Sequence, residues 1–279
     1  MIKTDFSDRL EDLPMLSNTF NEICRVADDP RSTCREISTI VERDQVITTK
    51  VLRLINSAFY GIPRKITKLE QAITLLGISA VKNLILAGSV FQAFGNSADL
   101  SGLWLHAFAV ATGAKIIGQK VNYREIEELF ICGLIHDIGK LVEYLFVPDA
   151  VNAAREKCLS EKLFFWQVEE ELFDTGHERI GQRLLMRWKL PDKYCKVVAF
   201  HHRPHAKRDY ALETAAVFVA DALARSLNLG DSWDNNLVPE INGAVVDVLN
   251  IDVMADEEIS QAVTEQTEKV LQIFMGDKV

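Results

Sequence analysis

Apolar residues recur at helical spacing along almost the whole chain, and alternating, strand-like stretches are few. That periodicity predicts an all-α fold. Leu16 to Ala27 carries it first. A second segment runs from Arg31-Ser32-Thr33 to about Arg43, and a third from about Ile47 to Asn56, behind Asp44. Small and turn-forming residues break the pattern at Asn56 to Gly61, and Pro63 keeps it broken. Lys68 to Leu75 ends at Gly77, a C-cap residue, and Ser79 opens a longer apolar helix towards Phe94. Gly95-Asn96-Ser97-Ala98-Asp99 reads as a linker. The expected architecture is therefore two-lobed. A helical lobe spans residues 1–98, a second lobe spans 99–230 and shares an interface with the first, and helices over 231–279 pack on the second.

In the second half, Ser101 is placed to cap a helix to about Lys120, and one helix is expected from Arg124 to about Tyr144, with Pro148 beyond its end. Ser160 and Thr175 are read as caps of helices to Leu172 and Trp188. Pro191 suits the first turn of a helix reaching His201. Leu212 to Leu227, about Val238 to Leu249, and Asp256 to Phe274 complete the pattern.

With 48% hydrophobic residues in 279, the chain can bury one large core or two smaller ones. A net charge of −9 lacks the electrostatic footprint of a general nucleic-acid binder. Five cysteines, an odd number without a CxxC pair, suit reduced thiols better than a disulfide framework or zinc ribbon. No apolar signal core follows Met1, and apolar stretches such as Asn83 to Phe94 are too short and interrupted to span a bilayer. A cytoplasmic protein without a membrane partner is expected.

The residues that carry chemistry are concentrated. All six histidines, His106, His136, His177, His201, His202 and His205, lie between positions 106 and 205. His106 shares a helical face with Leu103, Val110, Gly113 and Ile117, and His177 stands on the face continued by Ile180, Leu184 and Trp188. Asp221 lies on a stripe with Val217, Ala220 and Ala224. A carboxylate there needs a cation or hydrogen-bond donors, either from an arginine, from a turn, or from a metal ion. His136-Asp137 follows Leu134-Ile135, and in a continuous helix Lys140 would stand one turn beyond His136. Imidazoles and carboxylates together suit iron, zinc, manganese or nickel. Such a site generates a nucleophile from bound water, and a lysine one turn away is placed to stabilise a phosphate oxygen.

At His136-Asp137-Ile138-Gly139-Lys140 the sequence resembles the HD superfamily of metal-dependent phosphohydrolases, whose pattern is a first His, an HD pair and a later Asp. His106, His136-Asp137 and Asp221 match it. The HD-GYP branch adds further ligands of a two-metal site, matched by His177 and His201-His202, and Lys140 matches the family's lysine. The first lobe sharpens the likeness. Leu13-Pro14, Glu42-Arg43-Asp44, Leu52-Arg53-Leu54, Asn56 to Gly61, Ile66-Thr67 and Ala72 to Gly77 resemble the HDOD family, as do Trp188 to Pro191 and His201 to Pro204. This resemblance, over roughly residues 10 to 230, implies an HD-related helical fold and a role in bacterial signal transduction, as a stand-alone regulatory module that recognises a protein partner or a small ligand. It implies metal ligands at His106, His136, Asp137, His177, His201, His202 and Asp221, for one or two divalent ions, with Asp137 and Lys140 as the catalytic residues if hydrolysis occurs. HD-GYP enzymes follow the His pair with an acidic residue and a Gly-Tyr-Pro loop. This chain has Arg203-Pro204-His205-Ala206 instead, which speaks for regulation over hydrolysis of a nucleotide or cyclic nucleotide. Asn56 to Gly61 is open to two readings, a packed inter-helix turn or a recognition surface.

Overall fold

The computed structural model describes residues 12–13, 15–27, 31–95, 98–173, 175–204 and 209–275, and these contain helices and no strand. They fall into two compact units, one drawn from within Pro14–Asn96 and Glu265–Val279, the other from within Ser97–Thr264 and the first residues of the chain.

The first unit contains α1 (Asn18–Ala27), α2 (Cys34–Val41), α3 (Gln45–Ile55), α4 (Leu69–Leu76) and α5 (Ile78–Phe94). Local chemistry sets their ends. Thr33 and Glu36 form a reciprocal capping box on α2, and the Asp44 carboxylate accepts from the Val46 and Ile47 amides at the start of α3. Ile23, Val41, Ile47, Leu54, Ile55 and Leu69 are fully buried in an apolar core. Asn56 holds the following loop in place: its side chain donates to the carbonyls of Leu52 and Ile66 and accepts from the Ile66 amide. Phe59 is buried and meets Tyr60 edge-on.

The second unit is built around α6 (Ser101–Lys120), almost all of it buried, with α7 (Ile126–Ile135) packed against it. A side chain at Gly133 would meet the Ala111 backbone at 2.6–2.7 Å, so glycine allows this close approach. Around them stand α8 (Ile138–Phe146), α9 (Pro148–Glu161), α10 (Phe165–Leu172), α11 (His177–Arg187), α12 (Asp192–Phe200), α13 (Ala211–Ser226), which packs against both α6 and α7, and α14 (Gly243–Leu249). The division between the units falls within α15 (Glu257–Met275). Among the described residues no helix is long and apolar enough to cross a membrane.

Several boundaries differ from the periodicity reading. The helix expected from Arg124 to Tyr144 is two, because the chain bends at Asp137 (φ −99°, ψ 17°) between α7 and α8. α9 was not expected at all. Pro148 reads as a stop but occupies the first turn of α9, where its missing N–H costs nothing. Ser160 consequently lies inside α9 rather than capping α10, Ser101 is the first helical residue of α6, and Gly176 rather than Thr175 precedes α11. The helix expected from Val238 starts only at Gly243, capped by the Asn242 side chain. Before it, Asn228, Gly230, Trp233, Asn235 and Asn236 all have left-handed backbone.

Candidate metal centre

The bend at Asp137 decides the site. It places His136 and Asp137 at the junction of α7 and α8 rather than along one helix face, and turns α8 onto α11. A side chain on Gly139 would lie 2.0 Å from the His177 carbonyl oxygen, so this approach requires a glycine. His106 comes from α6, His177 from the first turn of α11, His201-His202 from the end of α12, and Asp221 from α13. Donor atoms of Asp137, His177, His201 and His202 lie within 4.8 Å of one another, and those of His106, His136 and Asp137 form a second group. Asp137 belongs to both. All these side chains are buried except that of His202, which is half-buried. His205 and Ala206 lie outside the described residues.

A profile of the HDOD domain matches residues 13–204, more than two thirds of the chain. The chain belongs to the HDOD domain family. A relative from Treponema pallidum, itself uncharacterised, is 27% identical over 238 residues, which are 81% of this chain and 45% of that protein. The HDOD chain thus spans less than half the length of the curated relative it matches. A crystal structure from Shewanella amazonensis, named as a candidate phosphohydrolase, is 22% identical with a TM-score of 0.72 and covers 96% of each chain. One from Marinobacter aquaeolei, named as a candidate signal transduction protein, is 20% identical with a TM-score of 0.75, over 99% of this chain and 62% of that one. At these identities the likeness shows a shared fold.

Within this HDOD fold, second contacts fix the imidazoles. His136 Nδ1 lies 2.7 Å from the Gly133 carbonyl, His201 Nδ1 2.7 Å from the Val198 carbonyl, and His177 Nδ1 2.6 Å from Glu169 Oε2. With a carbonyl at Nδ1, that nitrogen must donate, so the Nε2 lone pairs of His136 and His201 point into the centre. There His177 Nε2 stands 3.4 Å from His201 Nε2 and 3.1 Å from His202 Nε2. Nitrogens held this close repel unless a proton or metal ion lies between them. His136 Nε2 and Asp137 Oδ1 are buried without a hydrogen bond. A convergence of imidazole nitrogens and carboxylate oxygens with unmet polar atoms fits a divalent transition metal.

The buried groups of the region perturb one another's ionisation. Burial alone would raise the carboxyl of Asp137, but its neighbours His136 and Lys140 hold it well below the usual range. Burial opposes ionisation of Asp221 too, and the Arg225 guanidinium, then His106, reverse it. For His177, burial lowers the pKa, while Glu169 and the adjacent Asp137 carboxylate push it up to about 10. Burial lowers the pKa of His201 and, more strongly, of His202, so these remain neutral.

Two residues of the expected set have unexpected partners. Lys140 is fully buried, its ammonium donating to Asp137 Oδ2 at 2.7 Å and to the Ser232 carbonyl at 3.1 Å. Asp221 belongs to neither donor group. Its Oδ1 accepts from Arg225 Nε at 2.7 Å and lies 3.0 Å from His106 Nε2. Periodicity missed Glu169, Arg225, Ser232 and Asp234. Arg225 Nη1 donates to both oxygens of Asp234, at 2.7 and 2.8 Å, and Ser232 Oγ donates to Asp234. Asp234 also accepts from the Phe165 amide, so the loop before α14 is tied to the floor of the centre. Arg225, four residues after Asp221, was a readable signal. Ser232 and Asp234, in a loop without periodicity, were not.

Proposed function

We propose that this HDOD chain is a signal-transduction regulatory module that recognises a protein partner or a small ligand, and that its HD-type centre holds a divalent transition metal. The observation that carries the regulatory reading is the position of Lys140. Its ammonium is committed to Asp137 and to a backbone carbonyl and has no solvent exposure, so it is not placed to receive a phosphate from outside. Arg203-Pro204 follows the His pair where the catalytic branch has its acidic residue and Gly-Tyr-Pro loop, which supports the same reading.

His177, His201, His202, Asp137, His136 and His106 would hold iron, zinc, manganese or nickel. Bound there, the metal supplies Lewis acidity and acidifies water. The chain's own contribution is orientation and exclusion of water: Glu169 and the Gly133 and Val198 carbonyls aim the rings, and Phe165, itself buried, packs beside His177 and Lys140. The test combines elemental analysis of untagged protein, a nucleotide and cyclic-nucleotide hydrolysis panel, and a partner and ligand screen. The expected result is stoichiometric transition metal, no turnover, and a retained partner or ligand.

One observation favours a second reading, a metal-dependent phosphohydrolase acting on a nucleotide. His202 is half-buried, so one edge of the centre is within reach of solvent. Turnover of a phosphoester that Asp137→Ala abolishes, with no partner recovered, would replace the regulatory reading by this one.

A further inference from the structure

The chain as a whole is acidic, with 31 Lys and Arg against 40 Asp and Glu, but residues 14–96 carry ten against seven. The excess of cations thus lies in the first unit, which contributes no donor to the metal centre. Part of it is gathered at one place. A cleft of about 630 Å³ runs along α1 and α2, a volume within the range of small-molecule sites. Arg25 of α1, Arg35 of α2 and Arg43, just beyond α2, line it.

The two carboxylates at this cleft are already engaged. Both oxygens of Glu22 accept from Arg43 Nη1, at 3.2 and 3.3 Å. Glu36 accepts from the Thr33 amide at 2.8 Å and the Thr33 hydroxyl at 3.0 Å, closing the capping box of α2. The guanidiniums of Arg25 and Arg35 have no hydrogen-bond or ion-pair partner among the described residues. Two such planar forks of donors, without a counter-charge, suit a phosphate group. The hydroxyls of the cleft add a second requirement. Ser32 Oγ donates to the Val26 carbonyl at 2.6 Å, and Thr39 Oγ1 to the Arg35 carbonyl at 2.8 Å. Their protons are spent within the protein, so to an occupant they offer acceptor oxygens only. An occupant that satisfies both sets brings hydrogen-bond donors as well as negative charge.

We propose that this cleft binds a small phosphate ester with free hydroxyls, the chemistry shared by a sugar phosphate and a nucleotide. Arg25 and Arg35 hold the phosphate, and Ser32 and Thr39 accept from the sugar hydroxyls. No aromatic side chain among the described residues lines the cleft, so a base has no ring to stack on and the sugar phosphate is the part recognised. The site rests on the small-ligand form of the regulatory reading and gives that ligand a place in the unit without metal donors.

Calorimetric titration of the full chain tests it, with ribose 5-phosphate, adenosine 5′-monophosphate, inorganic phosphate, ribose and a phosphoserine peptide. The two esters should bind once per chain with similar affinity, inorganic phosphate more weakly, and ribose not at all. Arg25 and Arg35 are exposed, so their glutamine variants should keep the wild-type circular dichroism. Arg25→Gln and Arg35→Gln should each weaken ribose 5-phosphate by about tenfold or more, the loss of one charge-assisted contact. Thr39→Val should weaken ribose 5-phosphate and leave inorganic phosphate unchanged. Arg64→Gln, at an exposed position outside the cleft, should alter neither. Removing metal with a chelator should leave both affinities unchanged, which separates this cleft from the metal centre. No binding of either ester, binding that survives both arginine variants, or binding lost on chelation would overturn the proposal. Capture of the phosphoserine peptide alone would replace it by a peptide site. In each of those cases the regulatory reading would still stand on a protein partner, and fails only if the partner screen is empty as well.

Discussion

The two compact units of this chain bury very different material. Among the described residues, the unit of α1 to α5 buries apolar side chains and a few neutral polar ones, such as Ser38, Asn83 and Ser89, and no charged group. The unit around α6 buries Lys115, Glu127, Asp137, Lys140, Glu143, Glu169, Asp221, Arg225 and Asp234 besides its histidines. Buried ion pairs add little net stability, because desolvation consumes most of their attraction. An apolar interior needs no explanation beyond folding. A charged one does, and the converging donors around Asp137 supply it.

This contrast can be broken by substitution, and the largest effect belongs to the charged unit. Asp137→Ala leaves Lys140 buried with no carboxylate partner and should cost roughly 3–5 kcal/mol, with complete loss of bound metal; denaturant unfolding and elemental analysis check it. Leu54→Ala opens a cavity in the apolar unit and should cost a comparable or smaller roughly 2–5 kcal/mol, but the metal content of the folded protein should not change. If it falls, the two interiors are not independent.

A third effect separates the units by pH. His177 has a raised value in the ion-free fold, so its contribution is complete below its unfolded pKa near 6.5 and is lost as pH rises towards about 10. His201 and His202 have lowered values, so their contribution is present above the unfolded value and is lost as pH falls below it. Ion-free protein should therefore be most stable near neutrality. Its alkaline limb, with a slope of at most about 1.4 kcal/mol per pH unit from one proton, should flatten when metal replaces the His177 proton. Thermal unfolding across pH, with and without Zn(II), measures this. An alkaline limb unchanged by metal would contradict it. The smallest change is expected on the surface of the apolar unit. Thr33→Ala removes one arm of the capping box and should cost roughly 1 kcal/mol, with metal content unaltered.

The sequence was legible where one residue type forces one local outcome. Thr33 and Asp44 mark helix starts, Gly77 marks an end, and the helical spacing of apolar residues carries the all-α fold. The histidines and Asp137 could be picked out because polar residues on apolar faces need a partner, and the structure brings six of the seven expected ligands into two donor groups. What could not be read was which partner each one takes. Asp221 sits on an apolar stripe whether it meets a metal or Arg225, and only the fold shows Arg225 bonded to it. Lys140 follows the His-Asp pair in either role, and the bend at Asp137, invisible to periodicity, aims it inward. Ser232 and Asp234 come from a loop whose left-handed residues follow no repeat.

Gly139 carries the consequence that reaches furthest beyond this molecule. Its hydrogen side chain lets α8 touch the His177 backbone, and a methyl group there would lie 2.0 Å from the His177 carbonyl oxygen, so the two helices could not keep this approach. The glycine is thus a gauge of the site that contributes no donor atom. A chain elsewhere in the family that keeps every histidine and aspartate but carries a larger residue at this position should be regarded as having lost the centre, and one that keeps the glycine but has exchanged a donor still has the scaffold on which the centre could be rebuilt.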